Sequence, residues 1–565
     1  MTLVVAGLVS ACTHPATSGT PEPVYDLLIA GGRIVDGTGS PPAAGDVAIT
    51  GERIAALGRL REIGDPGPSA RDTIDATGLV VAPGFIDMLG HSEFRLLADG
   101  GALSKITQGV TSEITGEVTS VVPASERPRA ERRREIEPWG VEYGWQDLDG
   151  YFAALEESGT AINVGTWIGL SSLWLHGVGP EDRRPAAAEM EAMEEALEVA
   201  MQQGAFGLSS GLAYAPGRYA TTDEIARLAT VAARGGGIYA SHIRSEGDRL
   251  VEAIAEAISI GERSGAPVLI HHLKASGRAN WGRMDAAVAA IRAARERGVD
   301  VMASVYPYTA SSTGLDAILP AWAEGATPEE TLARLRDPAL RDSLETLLSG
   351  TTASGQPELA TSAGGAAGVQ ISDVVADSLA GYEGMRLDAI ARARGQRPAA
   401  ALIDLLVADD LQSSAIYFSM DEADLVTALS QPWTMIGGDA GVRALQGPLS
   451  TDTPHPRAFG TFPRLLCRYV REQGVLTLED AVRKMTSLPA ARAGLTERGT
   501  LKTGLYADVV VFDPETVCDR ATFEDPRRLA VGIEHVLVNG VAVLRNAEPT
   551  GERPGRGLRL RRGAR

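Results

Sequence analysis

The chain has 565 residues, of which 44% are hydrophobic and 22% charged, and its formal net charge is −20. This length exceeds what one hydrophobic core usually supports, so we expect a large domain and a smaller one. The negative charge disfavours a nucleic-acid partner. Three cysteines without a Cys-x-x-Cys pair predict neither a disulfide framework nor a thiolate metal site, and Cys467 is expected to be a small core residue.

Residues 1–24 are predicted to be a leader and linker. An apolar run at 2–11 ends on small residues and Cys12, which resembles the signal and lipobox of a bacterial lipoprotein. We expect export to the cell envelope or periplasm, with a lipid anchor at Cys12. A plain terminal tail and a cytoplasmic location are the alternative, because no Lys or Arg precedes the run. No later stretch is long and apolar enough to span a bilayer.

The two ends of the remaining chain have the same β-type character. Short apolar runs separated by glycine turns occupy 25–74 and return at 507–544. We therefore predict a small β-sandwich built from both ends, with one part at 25–80, the other at 491–550 and a tail at 551–565. Chain termini that lie close together make such a domain plausible.

The middle of the chain, residues 81–490, alternates apolar strand-like runs with segments of helical spacing. Repeated strand–helix alternation over about 400 residues predicts a (β/α)8 TIM-type barrel, so the fold class is α/β. A Gly-, Ser- and Thr-rich passage at 348–368, with helices on both sides, predicts an insertion at about 315–415 that covers the barrel mouth.

Polar side chains follow several predicted barrel strands at the point where each strand ends. Glu117, His242, His272 and Asp439 all do so, and chemistry in such barrels is found at the carboxyl ends of the strands. Two imidazoles and two carboxylates make an open site for a divalent ion, for which zinc is suited. Because neighbouring strand residues alternate faces, one of His271 and His272 can be a ligand while the other is structural.

Six runs, taken in their order along the chain, resemble one known family. They lie at residues 204–217, 241–246, 280–283, 306–312, 432–439 and 454–463. The sequence resembles the amidohydrolase superfamily and, within it, the N-acyl-D-amino-acid deacylases (D-aminoacylases). The resemblance covers nearly all of the chain after the leader.

The resemblance implies a role for each matching residue. His242 and His272 would bind the tightly held metal, and Glu117 falls where these deacylases have a metal-binding cysteine. Asp439, also counted among the metal ligands, matches the aspartate that accepts a proton from the attacking water. The residues expected to contact the substrate are Arg457, Tyr306, Ser312, His91 and Lys274.

The sequence also departs from the family pattern. The superfamily has a His-x-His motif after the first barrel strand, but here Leu89 replaces the first histidine and only His91 remains. Leucine cannot coordinate a metal, so we expect one zinc ion rather than two. Glu117 replaces a thiolate by a carboxylate, which is an ordinary zinc ligand.

The expected reaction is hydrolysis of N-acyl-D-amino acids to a carboxylate and a free D-amino acid. Zinc would activate the water and Asp439 would act as the general base. The preference for the D form rests on the resemblance alone. One alternative is a cyclic-amide hydrolase of the dihydropyrimidinase type, which usually bridges two metals with a carboxylated lysine that is absent at position 117. The other is an inactive binding homologue.

Overall fold

The computed structural model describes residues 25–60, 69–349 and 362–561, so the predicted leader with Cys12 lies outside the described residues. In this part of the chain no helix is long and apolar enough to cross a membrane. The strands fall into a β domain, a barrel and a small inserted sheet.

Strands from both ends of the chain form one sheet in the β domain. Its strands are β1 (Tyr25–Ile34), β2 (Ala43–Thr50), β3 (Arg53–Gly58), β4 (Ala70–Asp75), β5 (Val80–Pro83), β18 (Val509–Phe512), β19 (Ile533–Val538), β20 (Val541–Arg545) and β21 (Glu548–Pro549). The two ends join where β5 pairs antiparallel with β18. Consecutive side chains of β1 enter two apolar clusters, Leu27 in one and Leu28 in the other, because neighbours on a strand point to opposite faces.

Eight parallel strands form the predicted barrel. They are β6 (Phe85–Asp87), β7 (Val110–Thr115), the interrupted pair β8 (Asn163–Thr166) and β9 (Ile168–Gly169), β10 (Gly207–Gly211), β11 (Ile238–His242), β12 (Val268–Ile270), β13 (Val301–Val305) and β17 (Thr434–Ile436). The ring is completed beyond β6 and β17, where Gly90 and Ala440 form a parallel bridge and the Asp439 amide donates to the Leu89 carbonyl at 2.7 Å.

Residues 80–87 form one apolar run in the sequence but are divided between the two domains. Val80–Pro83 belongs to the β domain and Phe85–Asp87 to the barrel. Gly84 separates them, and a Cβ at this position would lie 2.2 Å from the Thr111 side chain. The chain therefore passes from one sheet to the other at a point where only glycine fits.

Helices connect the strands and cover the outside of the barrel. Their ends carry the expected signals; Thr221, for example, caps Thr222–Arg234 and forms a capping box with Glu224. The α-helices span Arg95–Ala98, Leu103–Ile106, Glu126–Ile136, Leu148–Ser158, Leu170–Gly177, Ala187–Gln202, Thr222–Arg234, Leu250–Ser264, Met284–Glu296, Pro328–Arg336, Pro338–Ser349, Leu387–Arg394, Pro398–Ala408, Glu422–Leu429, Arg457–Arg464, Leu478–Met485 and Ser487–Ala493. A π-helical segment, Leu465–Glu472, continues the helix that begins at Arg457.

The insertion forms a separate layer beside the barrel mouth. Its sheet consists of β14 (Ser311–Gly314), β15 (Val369–Asp373) and β16 (Ser414–Tyr417), which are antiparallel with β16 in the centre. The apolar run at 416–418 lies within the alternating segment of the sequence, yet β16 belongs to this sheet and not to the barrel. The insertion has its own apolar core, which includes Leu315, Ile371 and Leu402.

Two contacts between remote segments were not predicted. Cys467 is buried, as expected of a core residue, but it forms a disulfide bond with Cys518 across 51 positions, which the prediction of no disulfide framework did not include. The C-terminal segment runs beside β8, where Val164 donates its amide to Arg556 and accepts from the amide of Leu558. The end of the chain is therefore docked on the barrel.

Candidate active site

The polar residues predicted at the strand ends meet in one cavity of about 480 Å³. Glu117 follows β7, His242 ends β11, His272 follows β12 and Asp439 follows β17. Parallel strands in a closed barrel present their carboxyl ends to the same mouth, which explains why residues more than 300 positions apart become neighbours. The insertion supplies Ser311–Gly314 to one wall of the cavity.

Glu117, His242 and His272 form a compact group of metal-ligand type. Glu117 Oε1 lies 3.1 Å from His272 Nε2 and 3.7 Å from His242 Nδ1, and all three side chains are buried. One ligand atom from each residue lies within 4.8 Å of the other two. Separations of this size are expected when the three atoms bind the same zinc ion, each at about 2.0–2.2 Å.

The donor set of this group fits a zinc ion. Glu117 Oε1 is inaccessible to solvent and makes no hydrogen bond of acceptable geometry among the described residues, although a buried carboxylate oxygen normally has a partner. Two imidazole nitrogens and one carboxylate oxygen match the ligands of open, catalytic zinc sites. The residues present could therefore hold the metal that the sequence predicted.

Opposite charges control the ionisation of this group. Burial alone would raise the pKa of Glu117, but the charge of His272 and the nearby imidazoles hold that pKa well below its usual range. For His272, burial and the Lys274 ammonium lower the pKa, yet Glu246 and Glu117 outweigh them and raise it to about 9. Glu117 is thus ionised, as a metal ligand must be.

Behind His272 lies a carboxylate that orients the ring. Glu246 Oε1 is 2.9 Å from His272 Nδ1 and 2.5 Å from Lys274 Nζ. Burial opposes ionisation of Glu246, but Lys274 and the two site histidines lower its pKa to about 2. A carboxylate on the second nitrogen of a ligand histidine fixes the ring orientation and increases ligand basicity.

His91 and Asp439 form a second group beside the first. His91 Nε2 lies 3.1 Å from Asp439 Oδ1 and 3.4 Å from Glu117 Oε2. Loss of hydration opposes protonation of His91, but hydrogen bonds to the two carboxylates raise its pKa to about 10. Burial would raise the pKa of Asp439, whereas Arg457 and His91 hold it below its usual range.

Arg457 forms an ion pair with Asp439 and also contacts Ser312 and Tyr306. Its Nη1 is 2.8 Å from Asp439 Oδ2, its Nη2 donates to the Ser312 carbonyl at 3.3 Å, and its guanidinium lies 4.7 Å from the centre of the Tyr306 ring. Its Nε is buried without a hydrogen-bond partner among the described residues. Arg457 lines the cavity, where a guanidinium can bind an anionic ligand.

Two predicted substrate contacts have a different place in the structure. Tyr306 does not line the cavity; it is buried beneath Arg457, and its hydroxyl donates to Met420 Sδ at 3.8 Å. Lys274 reaches the cavity wall, but its ammonium is taken up by Glu246 and lies 2.8 Å from His272 Nδ1. Both side chains support other site residues, because their polar atoms are already bound.

Two further histidines near the site, His455 in the cavity wall and His271 next to His272 in the sequence, belong to neither candidate metal group. Both ring nitrogens of His271 are buried without partners among the described residues, and burial lowers its pKa to about 4. His455 accepts a hydrogen bond from the Arg457 amide and contacts the Ala310 carbonyl at 3.0 Å. Burial and Arg457 lower the pKa of His455 well below its usual range. The lowered pKa of both histidines favours the neutral imidazole.

Several cavity residues were missed by the sequence analysis. Tyr214 packs against His242, with ring centres 5.0 Å apart. Asp373 of the insertion also lines the cavity, as does the ion pair of Arg443 with Asp452. The Tyr214 signal was available in the run at 204–217, whereas the acidic residues stand in loops and strand ends without a recognisable motif.

The fold and the site together define a class of proteins, the hydrolases with an α/β barrel and a metal site at its mouth. A model of the amidohydrolase family matches residues 72–544. N-acyl-D-glutamate deacylase of Alcaligenes xylosoxydans xylosoxydans is 38% identical over 535 residues, which are 94% of this chain and 96% of that protein. The chain belongs to the N-acyl-D-amino-acid deacylase family of the amidohydrolases, as its motifs indicated.

Solved structures give the same result. An N-acyl-D-glutamate deacylase from Bordetella bronchiseptica, complexed with zinc and a phosphonate inhibitor, is 36% identical with a TM-score of 0.79 and covers 95% of this chain and 100% of its own. A D-aminoacylase described with a binuclear metal centre, one-metal activation and second-metal attenuation is 35% identical with a TM-score of 0.77 over the same shares.

The cyclic-amide alternative receives support for the fold only. A dihydropyrimidinase from Brevibacillus agri is 16% identical with a TM-score of 0.53, covering 94% of this chain and 98% of its own. At that identity the likeness extends to the barrel and not to the reaction. The deacylase assignment is therefore the one that the comparisons favour.

Proposed function

We propose that this protein hydrolyses the amide bond of N-acyl-D-amino acids and releases a carboxylate and a D-amino acid. The observation that carries this proposal is the buried group of Glu117, His242 and His272 in the same cavity as the ion pair of Asp439 with Arg457. The names of the similar proteins support the substrate class.

Glu117, His242 and His272 would hold a zinc ion. When bound, zinc supplies a Lewis acid that polarises a carbonyl and lowers the pKa of water to about 7. Asp439 is ionised and borders the same cavity, so its carboxylate can accept a proton from water and return it to the leaving amine. Its contact with Arg457 fixes the direction of the carboxylate.

Arg457 would bind the substrate carboxylate. Arg457 lines the cavity, and a guanidinium can make a two-pronged contact with a carboxylate. The Ser312 carbonyl and the Tyr306 ring hold the guanidinium in place. A free α-carboxylate on the substrate is therefore expected to be essential for binding.

We propose one zinc ion for each chain. Leu89 offers no donor atom, and Asp439 Oδ2 is engaged by Arg457, so the group of His91, Glu117 and Asp439 is poorer than the first as a metal site. Since one similar D-aminoacylase is described with second-metal attenuation, zinc added beyond one equivalent should leave the activity of this protein unchanged.

The test is hydrolysis of N-acetyl-D- and N-acetyl-L-amino acids and of a cyclic imide by the zinc-loaded enzyme and by Asp439→Ala. We expect cleavage of the D series, with kcat in Asp439→Ala reduced by about 10²–10⁴ at unchanged zinc content. A protein with bound zinc that cleaves none of the acylated amino acids would disprove the substrate class. Cleavage of the cyclic imide alone would favour the dihydropyrimidinase-type reaction.

We also propose export, in line with the leader expected at residues 1–24. The Cys467–Cys518 disulfide supports this, because such bonds persist mainly in oxidising compartments. The test compares cell fractions for the wild type and Cys12→Ala. Wild type in the membrane fraction and the variant in the soluble periplasmic fraction would support the lipid anchor. Equal cytoplasmic amounts of both would rule it out.

A further inference from the structure

Three charged side chains are buried together beside the barrel mouth and outside the cavity lining. Asp87 ends β6, Glu113 lies in β7, and Lys105 comes from the helix Leu103–Ile106. Lys105 Nζ is 2.7 Å from Asp87 Oδ2 and 3.1 Å from Glu113 Oε2, and the three residues are at most 2% exposed. Removing three charges from water costs free energy even when they are paired, so we expect this cluster to have a function other than stabilising the fold.

Besides the Leu89 amide, which donates to Asp87 Oδ1 at 3.0 Å, Asp87 and Lys105 contact the backbone around Asp439. Asp87 Oδ1 accepts from the Gly438 amide at 2.7 Å, and Lys105 Nζ donates to the Ala440 carbonyl at 2.8 Å. The amide of Asp439 itself donates to the Leu89 carbonyl at 2.7 Å. Gly438, Asp439 and Ala440, which follow β17, thus each make one of these hydrogen bonds through the backbone.

The backbone of Asp439 has a conformation that needs support from these hydrogen bonds. Its φ angle is +48°, in the left-handed region that is unfavourable for residues other than glycine. A residue persists in this conformation only where its surroundings impose it. A Cβ at position 438 would lie 2.4 Å from Asp87 Oδ2, so the glycine before Asp439 allows the loop to approach the cluster.

Glu113 binds the backbone next to His91, the histidine that contacts Asp439. Its Oε1 accepts from the Ser92 amide at 3.0 Å, next to His91, whose ring contacts Asp439 at 3.1 Å. A Cβ at position 90 would lie 1.9 Å from Glu113 Oε1, so the Glu113 side chain occupies space that only glycine leaves there. The cluster therefore touches the backbone beside His91 and the backbone around Asp439.

We infer that Lys105, Asp87 and Glu113 are positioning residues that fix the carboxylate of Asp439 relative to His91 and the metal ligands. The inference rests on the proposed function for its catalytic consequence and on the backbone contacts above for its geometry. None of the three residues lines the cavity or belongs to the metal-ligand group among the described residues. They act through the main chain at 438–440 and at 92.

The test uses the full-length, zinc-loaded enzyme and its Lys105→Met variant. We expect kcat for an N-acetyl-D-amino acid to fall at least tenfold, with KM within about twofold and zinc content unchanged, because a small displacement of a catalytic group has a large effect on rate. In hydrogen-exchange mass spectrometry, the peptide spanning 437–442 should exchange faster. Unchanged kcat together with unchanged exchange would overturn the inference.

Lys484→Met is the matched control. Lys484 is also fully buried, and its ammonium donates to the carbonyls of Gln431 and Thr434. These two carbonyls lie before β17 and at its first residue, whereas the carbonyl bound by Lys105 follows β17. It should destabilise the protein without altering kcat or exchange at 437–442. If both lysine variants lower kcat equally, the effect of Lys105 is general destabilisation and the positioning role is wrong.

A triple variant, Asp87→Asn with Lys105→Met and Glu113→Gln, distinguishes an effect on the stability of the protein from an effect on the position of Asp439. It leaves no unpaired buried charge, so its melting temperature should exceed that of Lys105→Met. Its kcat should stay below the wild-type value because the Ala440 carbonyl has lost its donor. Recovery of kcat along with stability would show that the cluster is only structural. The exchange measurement tests the geometry even if no N-acyl-amino acid proves to be a substrate.

Discussion

Within the group of Glu117, His242 and His272, Glu117 stands where the family resemblance implies a cysteine. A carboxylate and a thiolate carry the same charge and both bind zinc, but the carboxylate is the harder ligand. Glu117 Oε1 is buried and faces both site histidines. The site therefore keeps the charge balance that one divalent ion requires.

Glu117→Ala is expected to weaken zinc binding at least tenfold, because the only carboxylate of the metal group is lost. Glu117→Cys should retain zinc, since a thiolate at this position is the ligand implied by the family resemblance. Zinc analysis after dialysis against a weak chelator compares the three proteins. Wild-type zinc content in Glu117→Ala would remove Glu117 from the ligand set.

Asp373 gives the stability of the protein a dependence on pH. Burial, together with the charge of Asp452, raises the pKa of Asp373 to about 7, whereas an unfolded aspartate has a pKa of about 3.9. Between these values the folded protein binds more protons than the unfolded chain, so this residue lowers the stability as pH rises from about 4 to 7.

Asp373→Asn should remove this loss. The variant is expected to be more stable than wild type at pH 8, by on the order of 1–4 kcal/mol, and to show a smaller difference at pH 4. Melting temperatures at the two pH values provide the measurement, with Asp182→Asn as a control because the Asp182 side chain is 71% exposed. Equal pH slopes for wild type and Asp373→Asn would contradict this account.

At the scale of elements, the insertion is both a separate packing unit and a wall of the active site. Its apolar core is distinct from the barrel core. Its strands β14 and β15 nevertheless supply Ser312 and Asp373 to the cavity. Substrate binding should therefore depend on the order of the insertion, while metal binding should depend on the barrel alone.

Leu402→Ala tests this separation. Leu402 is 2% exposed in the insertion core, so its truncation should cost about 2–5 kcal/mol locally. We expect KM to rise severalfold with zinc content unchanged, and proteolysis of the insertion to become faster. Leu228→Ala, in the barrel core, is the control for general destabilisation. Faster proteolysis without any change in KM would show that the insertion wall does not contribute to binding.

At the scale of the whole molecule, the disulfide connects segments that local structure leaves far apart. Cys467 belongs to a barrel helix, and Cys518 lies between strands β18 and β19 of the β domain. The bond closes a loop of 51 positions. Cross-linking a loop of that length restricts the unfolded chain and stabilises the folded one by about 4 kcal/mol in the chain-entropy model.

The double variant Cys467→Ser and Cys518→Ser should lower the free energy of unfolding by up to about 4 kcal/mol, without changing zinc content or kcat. Denaturant titration under non-reducing conditions measures the difference. Wild type with added reductant should approach the variant. If reductant has no effect and both thiols react with a labelling reagent in the folded protein, the bond does not form in solution.

Alternating strand and helix patterns were enough to predict the barrel, and the deacylase family was recognised from short runs in their order. The ends of barrel strands are close together whatever their separation in sequence, so polar residues at those ends identified Glu117, His242, His272 and Asp439 as neighbours. The sequence by itself therefore determined the class of fold and predicted which strand-end residues meet at the barrel mouth.

Only the tertiary structure decided the contacts that depend on where a side chain points. The hydroxyl of Tyr306 turns to Met420, Cys467 meets Cys518, and Lys105 joins Asp87 and Glu113. No local pattern encodes these pairings, because each depends on distances between elements that pack only after the chain has folded. A strand-end position is fixed by topology, whereas a side-chain partner is fixed by packing.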